Sequence, residues 1–276
     1  MSSVSLAISP CPNDTLMFHH LLTHDAHGFN FDLKFADIEE LNEGLLHSKW
    51  DMAKMSVAAY PFFAENYQML DVGMAMGFGN GPLLISNSAD IDLENYYGEI
   101  LIPGKNTTAN ALLKKYFPHL NSKSELLFSD IPLAVAQTVA DLGLIIHESR
   151  FTYQKLGLHK IADLGEIWEN DQNLPLPLGA IVVRRSLPEE TKSKLSFELQ
   201  KSIIAGLADR SEAMDFILEN SAEKDISVVN SHIDLYVNEF SIRAGEKGEK
   251  AVHALLAPLT ENDSLPLQKI IFKWEK

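Results

Sequence analysis

Short apolar runs alternate with longer segments of helical period along most of the chain, the pattern of an α/β protein with a largely parallel sheet. The first run, Val4 to Ile8, stops at the turn Ser9-Pro10-Cys11-Pro12-Asn13-Asp14, and a helical pattern then covers Thr15 to about Leu22. Phe31 to Ala36 reads as a second strand leading into a helix over Ile38 to Leu46. Met52 to Met55 is short enough for a buried strand, and Ser56 to Glu65 resumes helical character despite Pro61. Two further strands, Met69 to Ala75 and Pro82 to Ser86, flank the glycine-rich stretch Gly77-Phe78-Gly79-Asn80-Gly81, which favours a bend or hinge. Beyond it come strands at Glu99 to Ile102, Leu126 to Phe128, Leu142 to Ile146 and Pro177 to Arg185. Helical patterns run from Thr107 to about Tyr116 and from Ile131 to Asp141. The remainder, Glu189 to about Ala257, is predominantly helical, with breaks near Asp225–Ser227 and Ser241–Gly245.

The middle of this series looks like one α/β unit inserted into another. The pattern therefore predicts two lobes with mostly parallel central sheets and a ligand cleft between them. Lobe 1 is built from residues 1–86 and 184–276, and lobe 2 from 87–183. Gly81 to Asn87 and Pro177 to Arg185 would be the paired crossovers, an arrangement that supports closure around a ligand.

Composition narrows the partner more than the fold. The 276 residues are 46% hydrophobic and 22% charged, ordinary for a folded chain, and the net charge is -15. That charge repels nucleic acid and anionic membranes, while an anionic small molecule would need local positive potential inside the cleft. No apolar stretch approaches the roughly 20 residues of a membrane span, and the N-terminus lacks a basic region followed by an apolar run, so a cytoplasmic protein without membrane insertion is expected. The single cysteine, Cys11, excludes an intrachain disulfide. Zinc-type ligand spacing, a dinucleotide fingerprint and a nucleophile elbow are all missing, so neither a metal nor a cofactor is expected. A homodimer is the one macromolecular partner left open.

In open parallel sheets ligands bind beyond the C-terminal strand ends, and four segments place polar residues there. In Ser9–Thr15 two prolines stiffen the turn, and Asn13 or Asp14 can cap the next helix. The alternative is a cleft wall offering Ser9 or Asn13 to a ligand, with Asp14 as an acid or base. Cys11 has no basic neighbour in sequence to stabilise a thiolate and is read as a small buried residue. In Lys54-Met55-Ser56, Ser56 stands where a helix cap would and Lys54 reads equally as a solvated charge or a ligand contact. Ile102–Ala109 brings strand, turn and helix start together. Gly104 permits an unusual backbone angle there, and Thr107, Thr108 and the first amides form a donor cluster suited to a carboxylate. Finally, the apolar run Leu144-Ile145-Ile146 delivers His147 to the cleft edge, where an imidazole can serve as a general base or as a hydrogen-bonded strand terminus. Glu148 could orient it, but neighbours on a strand face opposite sides, so a different orienter is expected. His19, His20, His24 and His27 read as a solvated cluster on the first helix and its exit.

Taken together and in order, these segments resemble the 1,4-dihydroxy-6-naphthoate synthase family of the futalosine route to menaquinone. The matching stretches are Ile8-Ser9-Pro10-Cys11-Pro12-Asn13-Asp14-Thr15, Lys54-Met55-Ser56, Gly81-Pro82-Leu83-Leu84, Ile102-Pro103-Gly104 with Thr107-Thr108-Ala109, Ile146-His147-Glu148-Ser149-Arg150-Phe151-Thr152-Tyr153 and Pro175-Leu176-Pro177-Leu178-Gly179. A looser match continues at Ile233–Asn238. The resemblance implies a type II periplasmic-binding-protein-like fold and a cofactor-free lyase acting on cyclic dehypoxanthinyl futalosine. It further implies His147 as proton acceptor, with Lys54, Met55 and Ser56 from one lobe and Thr107, Thr108 and Ala109 from the other touching the substrate. A chorismate dehydratase of the same fold and a non-catalytic anion-binding module are the rival readings. The His-Glu-Ser-Arg-Phe-Thr-Tyr stretch argues against the first.

Overall fold

The computed structural model describes residues 2–24, 28–260 and 270–274. Among these described residues are the strands β1 (Ser2–Ile8), β2 (Phe29–Phe35), β3 (Met52–Ser56), β4 (Tyr67–Leu70), β5 (Ala75–Gly77), β6 (Leu83–Ser86), β7 (Ile100–Ile102), β8 (Lys123–Glu125), β9 (Leu142–Ile145), β10 (His159–Asp163), β11 (Leu176–Arg184) and β12 (Ile271–Phe272). They form two sheets. One has the order β12-β4-β11-β3-β1-β2, with β5 also paired to β11, and the other runs β10-β6-β9-β7-β8.

The sheets are mixed rather than mostly parallel. β1 runs parallel to β2 and β3, and β7 parallel to β8 and β9. By contrast, β11 is antiparallel to β3, β4 and β5, and β6 is antiparallel to β9 and β10. The strands that follow each passage between lobes enter their sheet from the opposite end, which reverses their direction. Strand pairing also moves the lobe boundaries: β6 belongs to the second sheet, not to the lobe ending at residue 86, and β11 belongs to the first sheet from Leu176 onward. The passages themselves are shorter than the pattern predicts, residues 78–82 going out and 173–175 returning.

Local departures have local causes. Met69–Ala75 splits into β4 and β5 because Gly73, at φ 80°, bends the chain between them. Ser56–Glu65 yields only the 3-10 turn Val57–Phe62, since Pro61 lacks the amide an α-helix would use. The strand expected at Leu126–Phe128 lies three residues earlier, at β8, which leaves Phe128 in a loop free to reach the cleft. The sequence pattern does not predict β10 or the helix Leu164–Gln172; Asp163 caps that helix through the Gly165 and Glu166 amides.

Apolar clusters fill both faces of the first sheet. One holds Leu6, Ile8, Leu16, Phe18, Leu195 and Ile203 beneath the helices Pro12–Thr23 and Glu189–Ala208. Another runs from Met55 and Tyr60 across to Leu84, Leu112 and Trp168, joining the lobes behind the cleft. No described helix is long and apolar enough to cross a membrane.

Candidate active site

A cavity lies between the lobes. Asn13, Lys54, Ser56 and Gly179 line it from the first sheet and its loops, and Thr107, Thr108, Ala109 and His147 from the second. Met55 does not join them: strand alternation turns its side chain into the apolar core. Ser9 faces a neighbouring cavity, which His147 also lines, so the imidazole stands where the two spaces meet. Asp14 lines neither and pairs with Lys54 instead.

That wall is built around the buried Asp14 carboxylate. Pro12 begins the helix, so Asn13 and Asp14 fall inside its first turn and neither caps it. Asp14 Oδ1 accepts from Lys54 Nζ at 2.6 Å and from Asn13 Nδ2 at 2.8 Å, while Oδ2 accepts from Ser9 Oγ at 2.6 Å. Lys54 is only 4% exposed, so it is an internal cation and not a solvated one. It lies across Gly179, where a Cβ would come 2.8 Å from Lys54 Cε; only glycine leaves that path open. Ser56 makes no cap bond. Its amide donates to Asn42 Oδ1 at 2.9 Å, and its hydroxyl accepts from Asn42 Nδ2 at 3.1 Å.

The opposite wall starts at Gly104, whose φ of 152° suits glycine and whose missing Cβ makes room for Glu39 of the first lobe. Glu39 accepts from the Asn106 amide at 3.1 Å, a bond between lobes at the mouth of the cleft. Thr107 caps the helix Thr108–Tyr116 by accepting from Asn110 N. Thr108 Oγ1 donates to Leu178 O at 2.8 Å and accepts from Ala58 N at 3.2 Å. Both hydroxyls are therefore engaged, and what the helix start offers an anion is its first amides, which have no intrahelical acceptor.

His147 follows β9 in the left-handed region, at φ 55°. Half-buried, it packs edge-on against Phe128 with ring centroids 4.9 Å apart and stacks 6.1 Å from His232. Burial is the main cause lowering its pKa to about 4, with Asp14 opposing and Lys54 adding, so the ring is neutral near pH 7. His232 is fully buried, is also pushed down by burial, and its Nε2 lies 2.8 Å from Asn13 Oδ1. Because Asn13 spends its amide nitrogen on Asp14, its oxygen faces His232, which fixes Nε2 as the donor.

The left-handed backbone at His147 also breaks strand alternation, so Glu148 does not face away. Cys11 Sγ, a His147 ring nitrogen and a Glu148 carboxylate oxygen lie within 4.8 Å of one another. The cysteine thus has a histidine neighbour that its sequence surroundings did not show. Burial nonetheless pushes the thiol well up and keeps it protonated. Among the described residues, a surface group of His20, His24 and Glu212 brings three ligand atoms equally close and could hold a metal ion, away from the cleft. His20 and His24 stack at 3.9 Å there, so these two are not independently solvated; His27 lies outside the described residues.

Sequence reasoning passed over Asn42, His232 and Tyr236. Of these, His232 and Tyr236 sit four residues apart on the helix Ile226–Tyr236, a spacing that would have placed them on one face.

Known proteins resemble this chain in sequence and in fold. A 1,4-dihydroxy-6-naphtoate synthase from Streptomyces coelicolor is 36% identical over 96% of this chain and 95% of its own. One of the same name from Thermus thermophilus is 38% identical over 93% of this chain and 94% of its own. Among solved structures, the alkanesulfonate-binding protein SsuA from Xanthomonas axonopodis superposes with a TM-score of 0.69 at 14% identity, covering 99% of this chain and 98% of that one. That likeness establishes the two-lobed periplasmic-binding-protein fold of type II. Residues 4–261 match the family described as menaquinone biosynthesis, and the chain belongs to that family.

Proposed function

We propose that the protein is a carbon–carbon lyase that converts cyclic dehypoxanthinyl futalosine to 1,4-dihydroxy-6-naphthoate in menaquinone biosynthesis. The observation that carries this reading is a neutral imidazole, His147, lining the same cavity as the open amides of a helix N-terminus and an internal lysine. The substrate's benzoate carboxylate would sit on the amides of Thr108 and Ala109, where the helix dipole favours negative charge. Asn13, Lys54 and Ser56 would meet the polar fragment on the other wall. His147 then removes a proton next to the substrate carbonyl, the spiro-linked sugar-derived ring fragments, and the carbocycle aromatises. Aromatisation supplies the driving force within the substrate itself, so the stoichiometry calls for no redox cofactor. The Glu39–Asn106 contact supports a closed cleft that excludes water and holds the base against its proton. The reading places the reaction in the cytoplasm, where Cys11 stays a free thiol.

Incubating the purified protein with cyclic dehypoxanthinyl futalosine should release 1,4-dihydroxy-6-naphthoate, identified by mass. Absence of that product, with tight binding of the substrate by calorimetry, would sink the enzymatic reading in favour of a binding module.

A further inference from the structure

Glu148 is a buried carboxyl group that nothing so far described employs. It is 7% exposed, and its Oε2 makes no hydrogen bond among the described residues. An unpaired buried oxygen of this kind is costly unless it serves something. Its charged and titratable surroundings are the His147 ring and the Cys11 thiol within 4.8 Å, then Glu223, Asp14 and Tyr236. None of these is a free cation. Arg150, close to Tyr236, commits its guanidinium to Gly81 O and Asp163, and Lys54 is committed to Asp14. The neighbour able to exchange a proton with Glu148 near neutral pH is therefore His147.

We propose that Glu148 is the proton partner of His147, a positioning residue that acts on the reaction through the imidazole. This rests on the reading of His147 as the base. The substrate C–H bond breaks, leaving its electron pair on the substrate as an enolate, and the proton goes to the His147 lone pair. The imidazolium is stabilised by the facing carboxylate, and a ring proton can pass on to a Glu148 oxygen. The charge gained by the substrate is then the charge lost by the carboxylate, and the site keeps its net charge. One side-chain rotation or one water closes the remaining gap. The arrangement answers a difficulty of the site. An imidazole held near 4 is a weak base when alone, and an ionised carboxylate beside it restores basicity. Burial raises the Glu148 carboxyl to about 7, so the pair changes state within the working range of pH.

The test uses the full chain labelled at histidine and observed by NMR without substrate, with His147 assigned by its loss in His147→Asn. The His147 signal of the wild type should show an inflection near pH 7 as Glu148 ionises. Glu148→Gln should lack it, and Glu148→Asp should keep it at a shifted pH. In turnover, kcat/KM should rise with pH through a limb near 7 in the wild type. Glu148→Gln should lose that limb and fall about ten-fold at its plateau, and Glu148→Asp should retain it. A merely structural role would lower activity without removing the limb. An inflection that persists in Glu148→Gln, or is missing from the wild type, overturns the pairing. If the inflections behave as expected but the wild type does not turn over the futalosine derivative, the pairing stands and the functional reading fails.

Discussion

The two walls of the cleft each bury a carboxyl group, and they treat it in opposite ways. Asp14 receives hydrogen bonds from Lys54, Asn13 and Ser9, and the lysine supplies the opposite charge. Glu148 receives no comparable set: one of its oxygens is unpartnered, and its nearest functional groups are an imidazole and a thiol. Donors saturate the first carboxylate, and it becomes a brace that fixes where the Lys54 ammonium sits. Burial, with no such donor set to offset it, leaves the second unable to shed its proton cheaply, and it becomes a group that titrates near neutrality. Burial alone does not decide what an acidic side chain does in this protein; the count of donors around it does.

The sharpest way to break the contrast is to strip the brace. Lys54→Met leaves Asp14 buried without its cation and should cost about 3 to 5 kcal/mol of stability, read from the urea midpoint. Adding Asp14→Asn should recover most of that loss, because the uncompensated charge is what hurts.

Glu148→Gln should do the reverse, and with a pH signature. Its pKa is raised from the usual 4.5 to about 7, so the stability contributed by the protonated acid is whole below pH 4.5 and is lost as pH rises through 7. His147, lowered from 6.5 to about 4, contributes stability that is whole above pH 6.5 and lost as pH falls through 4. Between pH 4.5 and 8 the variant should gain on the wild type by up to about 3 kcal/mol. Denaturation curves at the two pH values check this, and a pH-independent difference would show that folding does not raise the Glu148 pKa.

His147→Asn keeps both carboxyls but removes the group between substrate and Glu148. Turnover should drop about 100-fold or more while calorimetry shows substrate binding preserved. Near-normal turnover would take His147 out of the scheme. The smallest effect is expected at the mouth of the cleft. Gly104→Ala forces a side chain against Glu39 and should weaken closure by about 1 kcal/mol, raising KM roughly five-fold with little change in kcat.

Much of the scaffold could be read from spacing alone. Apolar runs at β1, β3, β6, β9 and β11 and the helical periods between them are local properties, set by which side chains must leave water. The same runs located the strand ends, and so brought Lys54, Ser56, Thr107 and His147 toward one place. Direction within the sheets could not be read this way, because an apolar run looks the same whichever end it enters from. Met55 could have been separated from Lys54 and Ser56, because alternation in β3 sends it to the core.

What the sequence by itself determined is the order of elements and the chemistry offered at their ends. Tertiary structure decided the partnerships. Lys54 meets Asp14 from 40 positions away, and Asn13 meets His232 from 219. A left-handed residue at His147 turns Glu148 to the side that strand alternation would have denied it. Periodicity is written in neighbouring residues, whereas proton affinity depends on burial and on donors brought from elsewhere in the chain, and only the folded arrangement sets those.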